Sequence, residues 1–398
     1  MSITLQDLAA SPNALAAHYG AFRVSERLLM TGHSHQAWPD VGFEAQKRAW
    51  LDAAEHADDK WDAASEQWQR VCRGYAELMG GAAADITLGS NTHELLVRFL
   101  SALPLGQRPR IVTTDAEFHS ARRQVDRLAE TGAVEIVKVP GYPALSAAER
   151  LAAEVDERTA CVIVSAVFFE RGHIVPGLDA LAGACRSHGA ELLVDAYHAL
   201  GAMPFDLAAN GLEGAFVLGG GYKYLQLGEG NCFLRVPPGC EMRPVITGWF
   251  SEFAELTDEK TPGEVRYGKG PARFAGSTFD PTSQYRAAAV MDFFKEQGLT
   301  PDFLREVSLH QVALLEATFR HLDLDPAVAR LDDTVGPEGR GGFLALECGD
   351  AGALSQGLRE RDVRTDFRGP WLRFGPAPYH TDDQIRRAME ALGEVVRG

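Results

Sequence analysis

The sequence contains no C-x-x-C pair and no ligand-spaced cluster among its six cysteines, Cys72, Cys161, Cys185, Cys232, Cys240 and Cys348. That argues against a disulfide framework or a structural zinc site and leaves reduced thiols as the expectation. No apolar run approaches the length a membrane-spanning helix needs. The opening MSITLQDLAAS lacks both a basic stretch and an apolar core, so the expectation is a soluble, cytoplasmic protein. Basic residues are outnumbered, 39 Lys and Arg against 55 Asp and Glu, for a formal net charge of −16. Such a balance disfavours nucleic acid or an anionic membrane as a partner, but says little about a small anionic ligand, which local groups decide. Internal repeats and low-complexity segments are also missing. What is present is ordinary globular material: 398 residues, 45% hydrophobic and 24% charged, enough for a large core and two lobes.

Apolar runs of strand length recur at Arg110–Thr114, 134–139 and 161–167, with helical patterns over 120–131, 145–155 and Leu178–His188 around them. Strands alternating with helices of this length predict βαβ units, a largely parallel sheet and right-handed connections. Before them, residues up to Leu29 read as a helical arm, and Phe43–Met79 reads as helical throughout, its Trp50, Trp61 and Trp68 being core or dimer-contact residues. After Asn231–Val236, read as an antiparallel edge strand, comes a polar stretch from Glu252 to Gly270, expected to be a loop near the site. The character changes from Ser283 onward: long helical runs (284–297, 301–322), a strand at Gly342–Glu347, a helix at 351–359 and short strands near Val363 and Leu372. A closing helix is announced by the capping-box signature Thr381-Asp-Asp-Gln384.

The chain is organised around Glu191 to Leu225. An apolar run, Leu192–Val194, ends on Asp195, with His198 following in an Asp-x-x-His pattern. A second run, Ala215–Leu218, leads into three glycines and then Tyr222-Lys223-Tyr224. In open α/β sheets ligands sit beyond the carboxyl ends of the strands, and these two runs deliver an acid and a lysine there. Each residue alone has a plainer reading, Asp195 as a helix cap and Lys223 as a loop charge. Together they suit pyridoxal phosphate (PLP), with the lysine as covalent attachment point and the carboxylate facing the pyridine nitrogen.

At these residues the sequence resembles the fold-type-I PLP enzymes of aminotransferase class V and, within them, the kynureninases. The most specific pieces are Asp195-Ala-Tyr-His198, Tyr222-Lys223, Gly248-Trp249 and the run Asp366-Phe-Arg-Gly-Pro-Trp-Leu-Arg373-Phe-Gly-Pro-Ala-Pro. The resemblance implies a large domain with a mostly parallel seven-stranded sheet flanked by helices, plus a smaller C-terminal α+β domain. In this chain that means an arm over 1–40 packing with the small domain, a PLP-binding domain over 41–283 and the small domain over 284–398. It also implies a homodimer with active sites between subunits.

The same resemblance assigns roles. Lys223, Asp195 and Tyr222 are the catalytic residues, with Tyr222 a proton donor. Asn91 and Thr92, at the start of the helix after Ile86–Ser90, would hold the phosphate; a free helix N-terminus favours an anion, and plain N-capping fits the same residues. Phe118, with His119 as its rival, would stack on the pyridine ring. His198, Trp249 and Thr278 complete the cofactor set, the segment Arg273–Pro281 resembling one that a neighbouring subunit contributes. Arg373 is the expected clamp for the substrate carboxylate, since its planar fork holds two oxygens at once; the alternative is a strand arginine paired with an acid. His33 and Ser34 would reach the substrate. No metal is expected, because His33 and His35 have no third ligand beside them.

This chain departs from the kynureninase pattern at Gly32-His33-Ser34-His35, where that family carries a Gly-Asn-Ser-type segment, at Thr278 in place of Asn, and at Gly248-Trp249-Phe250-Ser251, which lacks the family's His. The expected activity is PLP-dependent cleavage of kynurenine or a related acyl-alanine to an anthranilate-type acid and alanine. Alternatives are a class V aminotransferase or epimerase, a cysteine desulfurase or selenocysteine lyase, and a catalytically silent binding protein on the same fold. The desulfurase reading wants a reactive late cysteine, and Cys348 ends an apolar strand.

Overall fold

The apolar runs become neighbouring strands of one sheet. In the computed structural model, which describes residues 3–257 and 261–398, the chain opens with a short helix, α1 (Leu5–Ala9), and a two-residue strand, β1 (Leu28–Leu29). Two helices follow, α2 (Val41–His56) and α3 (Lys60–Met79), then β2 (Ile86–Gly89) and α4 (Thr92–Ala102). Strands and helices then alternate: β3 (Arg110–Thr114), α5 (His119–Glu130), β4 (Glu135–Val139), α6 (Ala147–Ala153), β5 (Thr159–Ser165), α7 (Leu178–His188), β6 (Glu191–Asp195). Two more strands, β7 (Phe216–Gly219) and β8 (Cys232–Arg235), complete a seven-stranded sheet of order β2-β8-β7-β6-β5-β3-β4. Only β8 runs against the others.

Successive side chains of a strand point to opposite faces, and here both faces are covered. On one side Val112, Val162, Val164, Leu192, Val194 and Val217 pack with α3, α6 and α7. On the other, Ile111, Cys161, Ile163, Leu193, Phe216 and Leu218 meet Leu95, Phe99 and Val125 from α4 and α5. This double burial is why the strands read as continuous apolar runs rather than alternating ones.

The remaining elements are α8 (Thr282–Glu296), α9 (Pro301–His321), β9 (Ala329–Leu331), β10 (Leu344–Cys348), α10 (Ala351–Glu360), β11 (Val363–Arg364), β12 (Asp366–Arg368), β13 (Trp371–Phe374) and α11 (Asp382–Arg397). Strands β12-β13-β10-β9 form a four-stranded antiparallel sheet. Its core joins Val312, Leu315 and Phe319 of α9 to Leu344, Leu372, Phe374, Ile385 and Met389, and takes in Leu28 and Met30 from the N-terminal segment. The capping box at Thr381 and Gln384 starts α11 as the sequence indicates.

Four local expectations need correction. The helix over Phe43–Met79 is two helices, because Ala57 adopts φ 47° and ψ −108° and turns the chain. The arm to Leu29 is not continuously helical; β1 instead pairs in parallel with β11, a long-range match. The antiparallel strand near 231–236 is not at the edge, since β2 lies outside it. Finally, α8 contributes Ala287, Phe293 and Phe294 to the core of the large sheet, so the division drawn at 283 falls within a helix that belongs, by packing, to the large domain. Of the loop expected over 252–270, residues 258–260 lie outside the described residues, and Trp249–Glu255 forms a 3-10 helix. Among the described residues no helix is long and apolar enough to cross a membrane.

Candidate active site

Three strands of the large sheet aim their carboxyl ends at one cavity. Strand β6 ends on Asp195 and β5 on Ser165, and the two residues are register partners. Strand β7 runs into Gly219-Gly220-Gly221, which carries Lys223 back under the same opening. The glycines are a packing requirement: a Cβ on Gly220 would meet Cys232 Sγ and Tyr197 Oη at 2.6 Å, and one on Gly221 would meet Leu227 Cδ1 at 2.3 Å. The cavity, of about 170 Å³, is walled by Ser90, Asn91, Thr92, Phe118, Ser165, Asp195, Tyr197, His198, Tyr222, Lys223 and Cys232 among others. It shares Ser90, Glu229 and Gly230 with a wider cleft of about 660 Å³ that reaches Thr278.

Lys223 is 5% exposed, its Nζ 2.9 Å from His198 Nε2 and surrounded by the rings of Tyr197, Phe118 and Tyr222 at 4.7, 5.2 and 5.6 Å from their centroids. Burial pulls its pKa down to about 7; the attraction of Asp195 resists, and the cationic Arg373 and Arg368 add to the fall. Burial likewise holds His198 well below its ordinary range, so its imidazole is neutral and its ring nitrogen can accept from the amine. The backbone of His33 bonds to the same imidazole. Asp195 takes the N–H of Tyr197 on Oδ1 at 2.8 Å, and burial raises its pKa against the pull of Lys223. Tyr222 stays a phenol, pushed up to about 12 by burial and then by the neighbouring Cys232, Glu229 and Asp195.

At the far wall Asn91 caps α4, its Oδ1 accepting from Glu94 N–H at 2.9 Å. Ser90 and Thr92 face the cavity beside that helix N-terminus, whose dipole and N–H groups favour an anion. Phe118 reaches the wall; His119 instead lies outside it, edge-on to Phe169 at 5.2 Å. An acid, a near-neutral buried lysine, an aromatic face and a helix N-terminus around one cavity are the donor set that PLP requires.

Other expected residues are placed elsewhere in the chain. Trp249 is 43% exposed and packs on Phe250 and Phe253, and Thr278 lines only the adjoining cleft. Ser34 is buried with its hydroxyl donating to Thr31 O at 3.2 Å. Arg373, 2% exposed, is held by Asp366: Nε donates to Oδ1 at 2.8 Å and Nη2 to Oδ2 at 2.6 Å, while Nη1 donates to Phe169 O at 2.5 Å. His33 joins the same carboxylate, Nε2 to Oδ1 at 2.7 Å, and stacks on Phe343. Burial and then Arg373 take the His33 pKa down to about 4. It is therefore an uncharged donor, and although burial opposes it, Asp366 stays ionised against the charge of Arg373.

Some residues at or beside the site carry no role in the reading of the sequence: Ser165, Tyr197 and Cys232 of the cavity wall, and Asp366 as the partner of Arg373. Ser165 lies inside the apolar run 161–167 and becomes a strand end only in the structure.

Residues 63–316 match the family model described as aminotransferase class-V. The chain belongs to the aminotransferase class-V family. Its cofactor is PLP. Residues 304–392 of this class-V enzyme also match a model described as the kynureninase C-terminal domain. Among curated relatives, the kynureninase of Pseudomonas fluorescens is 28% identical over 349 residues, covering 82% of this chain and 78% of that protein. An uncharacterized aminotransferase of Bacillus subtilis (strain 168) is 22% identical over 345 residues, covering 86% and 88%. A solved structure of the cystine C–S lyase C-DES with its product cysteine persulfide matches with a TM-score of 0.81 at 19% identity, over 94% of this chain and 99% of that one. The cysteine desulfurase of Thermococcus onnurineus NA1 gives 0.77 at 16% identity, over 94% and 96%. These structural likenesses show the fold, that of the fold-type-I PLP enzymes.

Proposed function

We propose that this class-V enzyme hydrolyses the Cβ–Cγ bond of kynurenine or a related acyl-alanine, giving an anthranilate-type acid and alanine. The observation that carries the reading is the match of residues 304–392 to the kynureninase C-terminal domain, because that stretch holds Asp366 and Arg373. Bound PLP supplies the electron sink for negative charge developing at the substrate Cα. Lys223, poised near neutrality, takes the Cα proton as a general base, with His198 accepting from its amine and orienting it. Asp195, at the cavity wall, would hold the ring nitrogen of bound PLP and favour its protonated form. Water adds to the γ-carbonyl and supplies the hydroxyl of the acid product, and as the Cβ–Cγ bond breaks the Tyr222 phenol, beside Lys223 at the cavity wall, gives a proton to Cβ. Arg373 spends three of its N–H donors on Asp366 and Phe169, which leaves one on each terminal nitrogen to grip a substrate carboxylate.

The desulfurase alternative fits less well. Five of the six cysteines are buried, Cys348 is pushed up to about 11 by burial, and half-buried Cys240 is raised for the same reason. A nucleophilic thiol needs the opposite environment, exposed and with a depressed pKa. The test is direct: PLP-loaded protein given kynurenine or 3-hydroxykynurenine is expected to release the corresponding anthranilate, followed by its fluorescence, with alanine in equal amount. A keto acid product without anthranilate would move the assignment to transamination.

We further infer a homodimer. Trp249 and Thr278 lie away from the Lys223 cavity of their own chain, and Phe43, Trp50 and Leu51 of α2 expose large apolar side chains at 61%, 79% and 55%. A second copy covering these faces accounts for both observations. Sedimentation is expected to give twice the mass of one chain; a monomer under conditions of full PLP loading would refute it.

A further inference from the structure

Beside Asp195 the protein buries a second carboxylate that none of the chemistry above uses. Glu117, 3% exposed, precedes Phe118 in the connection between β3 and α5. Its Oε1 accepts from Thr114 Oγ1 at 2.7 Å and its Oε2 is 2.6 Å from Ser165 Oγ. Ser165 is the register partner of Asp195, and both line the cavity. Two acids therefore lie on either side of one serine at the carboxyl end of the sheet. The charged groups bearing on them are few: Asp195 of β6 acts on Glu117, and Lys223 acts on Asp195.

A protonated carboxylic acid donates one hydrogen bond, whereas an ionised one only accepts. When Glu117 is ionised it draws the protons of both hydroxyls. When it is protonated it donates to one of them, and that hydroxyl can turn its own proton elsewhere. Burial pushes this acid up to about 7; the Ser165 and Thr114 hydroxyls resist, and the negative charge of Asp195 adds to the rise. The exchange thus falls near neutrality.

We propose that Glu117 is a positioning residue for the ring end of the cofactor site: by holding or releasing one proton it turns the Ser165 hydroxyl between itself and the cavity. The same proton sets how much negative charge faces the ring nitrogen beside Asp195. The proposal rests on the placement of that nitrogen at Asp195, and the test separates the two.

The variant Glu117→Gln keeps the shape and the hydrogen-bonding capacity but cannot titrate. In cofactor-free wild-type protein, infrared spectra are expected to show a protonated carboxyl band that disappears with a midpoint near 7 and is missing from Glu117→Gln. In PLP-loaded protein, the pH midpoint of the cofactor absorbance should fall by about one unit in Glu117→Gln, since a nearby negative charge favours protonated cations. Ser165→Ala, which cuts the hydroxyl link and leaves the acid in place, should shift it the same way by less. A carboxyl band untouched by Glu117→Gln, or midpoints that coincide in all three proteins, would overturn the proposal. Wild-type protein that titrates in the infrared yet forms no borohydride-reducible attachment would overturn the cofactor placement, and the proposal with it.

Discussion

Lys223→Ala protein is expected to be colourless after incubation with PLP, to yield nothing reducible by borohydride at position 223, and to turn over substrate about a thousandfold more slowly or worse. The size of the effect follows from the two tasks assigned to one amine, anchoring the cofactor and moving the Cα proton. The wild-type amine supplies its own control. Only the unprotonated form attacks an aldehyde, and burial has drawn its pKa down to about 7, against about 10.4 for a free lysine. The rate of cofactor capture should therefore rise with pH to a plateau just above neutrality instead of climbing through pH 10. The stability of cofactor-free protein has a matching sign. Between about 7 and 10.4 the unfolded chain binds a proton that the folded one does not, so this group makes stability increase with pH across that window and contributes no slope below it. Lys223→Ala should lose that slope along with the colour. A variant that still captured PLP reducibly, or kept wild-type turnover, would remove Lys223 from the centre of the site.

The parts of this site that could be read from the sequence are those where a strand announces its own end. Asp195 and Lys223 stand out because an apolar run stops and a charge follows, and the sheet brings both to one cavity. Ser165 sits inside the apolar run 161–167, so nothing in its own segment distinguishes it; the β5–β6 register places it opposite Asp195. The pairing of Leu28–Leu29 with Val363–Arg364 is likewise invisible to local periodicity, since a two-residue strand carries no period. The break at Ala57 escapes for a different reason: a non-glycine residue at φ 47° is uncommon, and no turn residue marks it in the sequence. Trp249 and Thr278 show a third limit. Their motif is legible, but a motif does not say whether its residues reach the Lys223 cavity, and in this chain they do not line it.

Arg373 is where two readings of one residue can be separated by magnitude. Asp366 and Arg373 face each other across the β12–β13 ladder, and the guanidinium is almost wholly buried. Arg373→Leu leaves Asp366 ionised in a confined site with the His33 hydrogen bond and the more distant Arg368 charge, and breaking such a pair from one side costs about 3–5 kcal/mol of stability. Combining it with Asp366→Asn should recover much of that loss, because the stranded charge goes with its partner. If Arg373 also grips substrate, catalysis must suffer beyond what folding explains. Arg373→Lys keeps a charge but loses the planar fork, so in folded protein below its melting transition kcat/KM should drop about a hundredfold, most of it through KM, as expected for a lost charge-assisted bidentate contact of about 3 kcal/mol. The double variant should regain stability without regaining KM. Recovery of both together, or an unchanged KM in Arg373→Lys, would mean that Arg373 is a strut between two strands and that the substrate carboxylate is held elsewhere. Arg368, which shares strand β12 with Asp366, is 40% exposed and 3.8 Å from that carboxylate.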